Sequence, residues 1–198
     1  NSGNYGLPLA LFAFGQEGLE RAIVFLVSQA ILSGTLSIYV ASRSKVGPMG
    51  AFRSVVRMPM VYASIIGLSF NLMNISMPVL IANPMEILGN AAVPSMLMVL
   101  GIQLSTKFSL DNFKALLMVS TLRLLVPIGL AFGLTSLLGI SGLTQEVLIV
   151  LSAMPTAVFT IIIASEFDAR PTFVTNAVVL TTLGSLLTVA PLIWFLRT

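Results

Sequence analysis

The chain has no cysteine and no histidine, and only 9% of its 198 residues are charged. Without cysteine there is neither a disulfide nor a thiolate nucleophile. Without histidine, imidazole general-base chemistry and most zinc sites are excluded. The scarcity of charge excludes more. A soluble domain carries about 25% charged residues, enough to cover a water-facing surface. Here 57% of the residues are hydrophobic and the mean hydropathy is +1.02, so the chain must use lipid as its solvent. The net charge of +3 is not a nucleic-acid signature. The basic residues sit mostly in loops between apolar runs, and no basic stripe with interleaved aromatics occurs.

Acidic residues are as few as seven. Glu17, Glu20, Glu86, Asp111, Glu146, Glu166 and Asp168 all fall in expected turns, so none sits deep in an apolar run to carry a coupling proton or sodium ion. An intramembrane enzyme would need a nucleophile with a base. Serines are plentiful, but every lysine is in a loop and no buried aspartate pair exists. The chain therefore reads as a non-enzyme with no cofactor and no metal.

What is present is a series of apolar segments. A spanning helix needs roughly 20 mostly apolar residues. The pattern predicts a half-helix at 5–14 and full spans near 22–41, 58–72, 87–104, 115–138, 147–164 and 173–196, the second of these short and able to run on to Met77. No segment alternates with period two, so strands are not expected. Arg43, Lys45, Arg53, Arg57, Lys107, Lys114 and Arg170 fall in loops on one side, Arg21 and Arg197 on the other. The positive-inside rule then places the 42–57, 105–114 and 165–171 loops in the cytoplasm and the C-terminus outside.

Two apolar segments are interrupted at matching places: Asn1-Ser2-Gly3-Asn4-Tyr5-Gly6-Leu7-Pro8 and Ser152-Ala153-Met154-Pro155-Thr156. Gln29 follows Pro8, and Asn176 follows Pro155, at the same offset of 21 residues. Paired Pro/Gly interruptions in two halves of a membrane protein point to a transporter's substrate site, because the freed backbone groups survive only against protein or a water-filled cavity. Asn1 and Asn4 are candidate ligands, with helix–helix hydrogen bonding as the plain alternative. Their Gly- and Pro-rich surroundings favour a broken helix whose half-helix N-terminus can meet an anion. Pro8, Met154, Pro155 and Thr156 belong to the same candidate site, with Ser28, Gln29 and Asn176 from the helices that follow. Ser152 and Thr160 are better read as back-bonding to their own helix. Arg123 lies inside a span, either snorkelling towards the cytoplasm or holding a carboxylate or an acidic partner. Pro94 and Pro127 read as kinks within spans. Pro59, Pro78, Pro84, Pro171 and Pro191 read as span-end prolines. Gly67, Gly101, Gly129, Gly133 and Gly184 read as close-packing positions.

Four stretches together resemble the auxin efflux carrier family, which includes plant auxin exporters and bacterial dicarboxylate permeases. They are Gly3-Asn4-Tyr5-Gly6-Leu7-Pro8-Leu9; Arg57-Met58-Pro59-Met60-Val61-Tyr62 with Ile65-Ile66-Gly67-Leu68; Val99-Leu100-Gly101-Ile102-Gln103-Leu104; and Ala153-Met154-Pro155-Thr156 through Glu166-Phe167-Asp168. The plant motif has Asn on either side of its Pro, so Met58 and Met60 depart from it. The resemblance implies an all-α membrane protein of ten helices in two inverted five-helix repeats with two Pro-broken crossover helices. Helices three to five and eight to ten would move against a scaffold of the other four. Residues 1–41 would end the first repeat, 42–57 would be a cytoplasmic loop, and 58–198 would form the complete second repeat, with helices one to three preceding Asn1. The implied function is alternating-access transport of a small organic anion, a dicarboxylate or an auxin-like acid, in the plasma or inner membrane. Its partners would be the substrate, the lipid bilayer and, as an open option, a second copy in a homodimer. The alternatives are a sodium-coupled bile-acid-type carrier of similar fold, and a structural or sensory membrane subunit.

Overall fold

The computed structural model describes residues 1–41, 59–73, 75–105 and 111–197. The expected loop at 42–57, Met58 and the terminal Thr198 lie outside the described residues. Among those described there are helices and turns and no strand. A π-helical turn at Ser2–Gly6 leads into α1 (Leu7–Ala41), followed by α2 (Pro59–Leu72), α3 (Val79–Leu104), α4 (Phe113–Leu137), α5 (Gly142–Ser152), α6 (Phe159–Glu166) and α7 (Pro171–Arg197). Among the described residues three helices are long and apolar enough to cross a membrane: Val79–Ile102, Phe113–Leu137 and Pro171–Arg197. At 1.5 Å per residue, the 25 residues of α4 reach about 38 Å, beyond the roughly 30 Å of a hydrocarbon core. The 14 residues of α2 reach about 21 Å and do not.

Two expected spans are drawn differently. The 58–72 segment does not continue to Met77, since helix ends at Leu72 and residues 75–78 are non-helical. The 147–164 segment is not one rod but two short helices separated by residues 153–158. Pro155 has no N–H for the carbonyl one turn before it, and its ring excludes the helical path. Pro84 and Pro191 lie inside α3 and α7, not at their ends, alongside Pro94 and Pro127 within α3 and α4.

α1 is not one rod either. Gly15 has φ 70° and ψ −163°, a backbone region that essentially only glycine enters. Residues eight apart on a straight helix are separated by about 12 Å. A Cβ on Gly18, however, would stand 3.2 Å from the carbonyl oxygen of Ala10 and would overlap the Cβ of Phe14. The chain therefore doubles back at Gly15, leaving Leu7–Phe14 as a half-helix and the rest as a second helix. The hairpin is tied at its tip. Arg197 Nη1 donates to the Ala13 carbonyl at 2.7 Å, Arg21 Nε donates to Thr144 Oγ1 at 3.1 Å, and Arg21 pairs with Glu17 at 3.4 Å. The half-helix after the second interruption, α6, has the same length of eight residues.

The chain forms two compact units, Leu26–Ser95 and a larger one of Asn1–Phe25 with Met96–Thr198. In the first, α2 and the α3 residues through Ser95 bury none of their described side chains. In the second, α4 packs on α5 and α7, α6 and α5 pack on α7, and the π-turn packs on α5. The core face of α4 carries Leu116, Ser120, Leu124, Ala131 and Thr135, a stripe at helical spacing. α7 answers with Ala177, Val178, Thr181, Thr182, Ser185 and Val189. Gly184 packs tightly against α4, since a Cβ there would meet Leu124 Cδ1 at 2.9 Å.

Gly67, Gly101, Gly129 and Gly133 have nothing within 4 Å of a built Cβ among the described residues, so the close-packing reading holds for Gly184 and not for these. Gly133 faces away from the stripe formed by Ala131 and Thr135. Gly184→Leu is therefore expected to lower the yield of monodisperse protein by forcing α7 off α4, a cost of about 1–3 kcal/mol. Gly133→Leu is expected to leave it unchanged. Size-exclusion profiles of the two variants in detergent check this.

Candidate functional site

The two interruptions meet. The backbone nitrogen of Asn1 donates to the carbonyl oxygen of Pro155, across 154 positions of sequence. Gly6 faces the end of α5 so closely that a Cβ on it would lie 2.7 Å from Leu151 Cδ2 and 3.3 Å from Met154 Cγ. Pro8 and Pro155 are both fully buried, as is Met154. Position 6 thus lies in a close approach that leaves no room for a large side chain, and the approach is to the second interruption.

The two backbone groups that Pro155 and the break separate, the Ser152 carbonyl and the Thr156 N–H, can each be followed to a partner. In a continuous helix the Ser152 carbonyl would accept from the Thr156 N–H. That N–H donates instead to Thr181 Oγ1 on α7 at 3.1 Å. The Thr181 hydroxyl passes its own proton to the Ala177 carbonyl at 2.7 Å. The Ser152 carbonyl accepts from Arg123 Nη1 at 3.3 Å. Ser152 and Thr160 back-bond to Leu148 and Ala157 at 2.7 and 2.6 Å, as expected for them. Thr181→Val keeps the shape and removes the acceptor. Leaving the Thr156 N–H unpaired costs about 1–3 kcal/mol, so the variant's unfolding midpoint in detergent is expected to fall by several degrees.

The polar residues divide into satisfied and unsatisfied groups. Asn1 and Ser2 are buried, and Asn1 Nδ2 and Ser2 Oγ have no hydrogen-bond partner among the described residues. Buried polar groups are nearly always paired, so two orphans on consecutive residues at the crossing call for a ligand or water. Asn4 and Thr156 are half-buried. Asn176 is buried and bonded, and it lines a cavity of about 480 Å³. The other walls are Asp111, Asn112, Arg170, Thr172 and Phe173, from the start of α4 and the start of α7. Asn112, Asp168 and Arg170 are the only non-glycine residues with positive φ among those described, and two of the three stand on this cavity. Strained backbone of this kind costs about 1–3 kcal/mol per residue and clusters at functional sites.

Ser28 and Gln29 lie on α1 within the Leu26–Ser95 unit, both bonded to other groups; the crossing and Asn176 belong to the larger unit. Ser2 and Thr181 were not foreseen. Ser2 could have been found from its place between two candidates. Thr181 belongs to a hydroxyl row, Thr181, Thr182, Ser185 and Thr188, whose helical spacing marked a polar seam on an apolar helix.

The model of the membrane transport protein family matches residues 43–193. An uncharacterized transporter of Methanocaldococcus jannaschii is 30% identical over 99% of the chain and 65% of its own length. The chain belongs to the auxin efflux carrier family. A second uncharacterized transporter, from Methanothermobacter thermautotrophicus, is 30% identical over 94% of the chain and 61% of its length. Auxin efflux carrier component 1 of Arabidopsis thaliana is 25% identical over 65% of the chain and 22% of its length. The chain thus spans less than two thirds of the length of the archaeal relatives; it belongs to a membrane transport protein family and carries, among the described residues, three helices apolar enough to cross a membrane.

Proposed function

We propose that this chain is part of a secondary carrier that moves a small organic anion across the cell membrane by alternating access. The observation that carries the reading is the crossing itself, where two interrupted helices touch and Asn1 Nδ2 and Ser2 Oγ lie buried without partners among the described residues. Both groups are donors, and a carboxylate is the acceptor that would satisfy them. Asn4 and the region around Met154, Pro155 and Thr156 complete this contact, with Pro8 holding the half-helix start. Asn176 would contact the ligand from the helix that follows the second interruption, in a different state or from a different side. The cavity at Asn176, lined by both Arg170 and Asp111, would serve as one mouth of the route.

The equal eight-residue half-helices after each interruption support two related repeats, here the end of the first and all of the second, in a ten-helix inverted-repeat fold. The Lys/Arg bias supports a cytoplasmic 42–57 loop and an external C-terminus. The substrate would be a dicarboxylate or an auxin-like acid, and a homodimer is compatible with the exposed α2 and α3. The test is binding of malonate and of indole-3-acetate to purified full-length protein, read as a shift of the unfolding midpoint. A shift with malonate that is lost in Ser2→Ala supports the reading. No shift with any carboxylate overturns it.

A further inference from the structure

Arg123 stands at the carbonyl end of a broken helix. The last residue of α5 is Ser152, and its carbonyl is freed because the Thr156 N–H turns to Thr181. One residue earlier, Leu151 loses its usual donor because Pro155 has none, and Met154 N–H replaces it at 3.3 Å. A helix C-terminus carries about half a negative charge. In transporters with discontinuous helices, such carbonyl ends are where sodium ions or protons are held. Here the Arg123 guanidinium from α4 is bonded to that carbonyl. Among the described residues no carboxylate pairs with Arg123, the one ion pair being Arg21–Glu17, and no cluster of metal-ligating side chains occurs. One turn before Arg123, the buried Ser120 hydroxyl has no partner among the described residues; removing the guanidinium would leave the Ser152 carbonyl without the donor it has here.

We propose that Arg123 is a built-in cation at the carbonyl end of the broken helix, occupying the position in which a soluble coupling cation would otherwise be held. It is a positioning residue for the crossing, not a ligand of the transported anion. This rests on the carrier reading for its consequence, that the step at the crossing needs no sodium ion there. An arginine suits the role because it stays charged and cannot leave with the substrate.

The experiment measures the unfolding midpoint of full-length protein in tetramethylammonium chloride, then with low-millimolar sodium or guanidinium chloride. Tetramethylammonium is a cation with no hydrogen to donate. The wild type is expected to give one midpoint in all three salts. Arg123→Ala is expected to fall by about 5 °C in tetramethylammonium and to regain at least half of that with guanidinium or sodium, while Arg123→Lys stays near the wild type. An Arg123→Ala midpoint equally low in every salt overturns the proposal, as does a wild type stabilised by sodium. Where Arg123→Ala gives no folded protein, Arg123→Gln decides, since it keeps donors and loses charge: a salt-specific rescue supports the proposal, and indifference to salt overturns it. The malonate shift on the same wild-type sample reports separately on the carrier reading.

Discussion

Gly15→Ala is expected to destabilise the reversal of α1 although the added methyl meets no other group among the described residues. Its φ of 70° and ψ of −163° lie where a side chain collides with its own backbone. The cost is about 1–3 kcal/mol if the turn survives. If the turn straightens instead, Leu7–Phe14 leaves the bundle and takes the π-turn with it, and the bond between Arg197 and the Ala13 carbonyl is lost. Full-length Gly15→Ala is therefore expected to show a lower yield of monodisperse protein and no carboxylate-dependent midpoint shift. A variant that expresses and binds like the wild type would mean that the reversal at Gly15 is not required.

Gly6→Leu tests the crossing at its tightest point. A Cβ alone would meet Leu151 Cδ2 at 2.7 Å and Met154 at 3.3 Å. Leu151 can swing its methyl aside, so Gly6→Ala is expected to cost little more than local repacking. Leucine adds three further carbons into a packed site and must push the two segments apart, costing about 1–3 kcal/mol or more. The separation also breaks the bond from Asn1 to the Pro155 carbonyl. Carboxylate binding is then expected to weaken by tenfold or more while the helix content by circular dichroism stays near that of the wild type. Equal binding by wild type and Gly6→Leu would place the ligand away from the crossing.

The parts legible in sequence were those that one residue decides locally. Pro155 in an apolar run foretold an interruption, since no neighbour can supply its missing N–H. Pro8 with Gly3 and Gly6 foretold the other, although the interruption there is a π-turn ahead of Leu7 and Pro8 itself begins a regular half-helix. The family likeness carried by these same residues was sound. What was not legible depends on which face of a helix meets which neighbour. Gly133 and Gly184 are alike in sequence, yet only Gly184 faces another helix. Arg123 read as a snorkelling or substrate-binding charge, and the Ser152 carbonyl that it meets comes from a helix 29 positions away. The reversal at Gly15 was hidden because the polar Gln16-Glu17-Gly18 run reads as an ordinary turn without saying how sharp it is.

The central claim is that an organic anion crosses the membrane through the meeting point of the two interrupted segments. Uptake of labelled malonate into proteoliposomes by the full-length protein, normalised to monodisperse protein, tests it most directly. A hydrogen bond lost in a membrane protein costs only about 0.6 kcal/mol on average, whereas one to a charged carboxylate is worth about 1.5–3 kcal/mol. Asn4→Ala and Thr156→Ala are therefore expected to reduce uptake about tenfold or more at nearly unchanged folded amount, with Gly133→Ala as a control that matches the wild type. Uptake by Asn4→Ala and Thr156→Ala at the wild-type rate and affinity would contradict the account and leave the crossing a purely structural device.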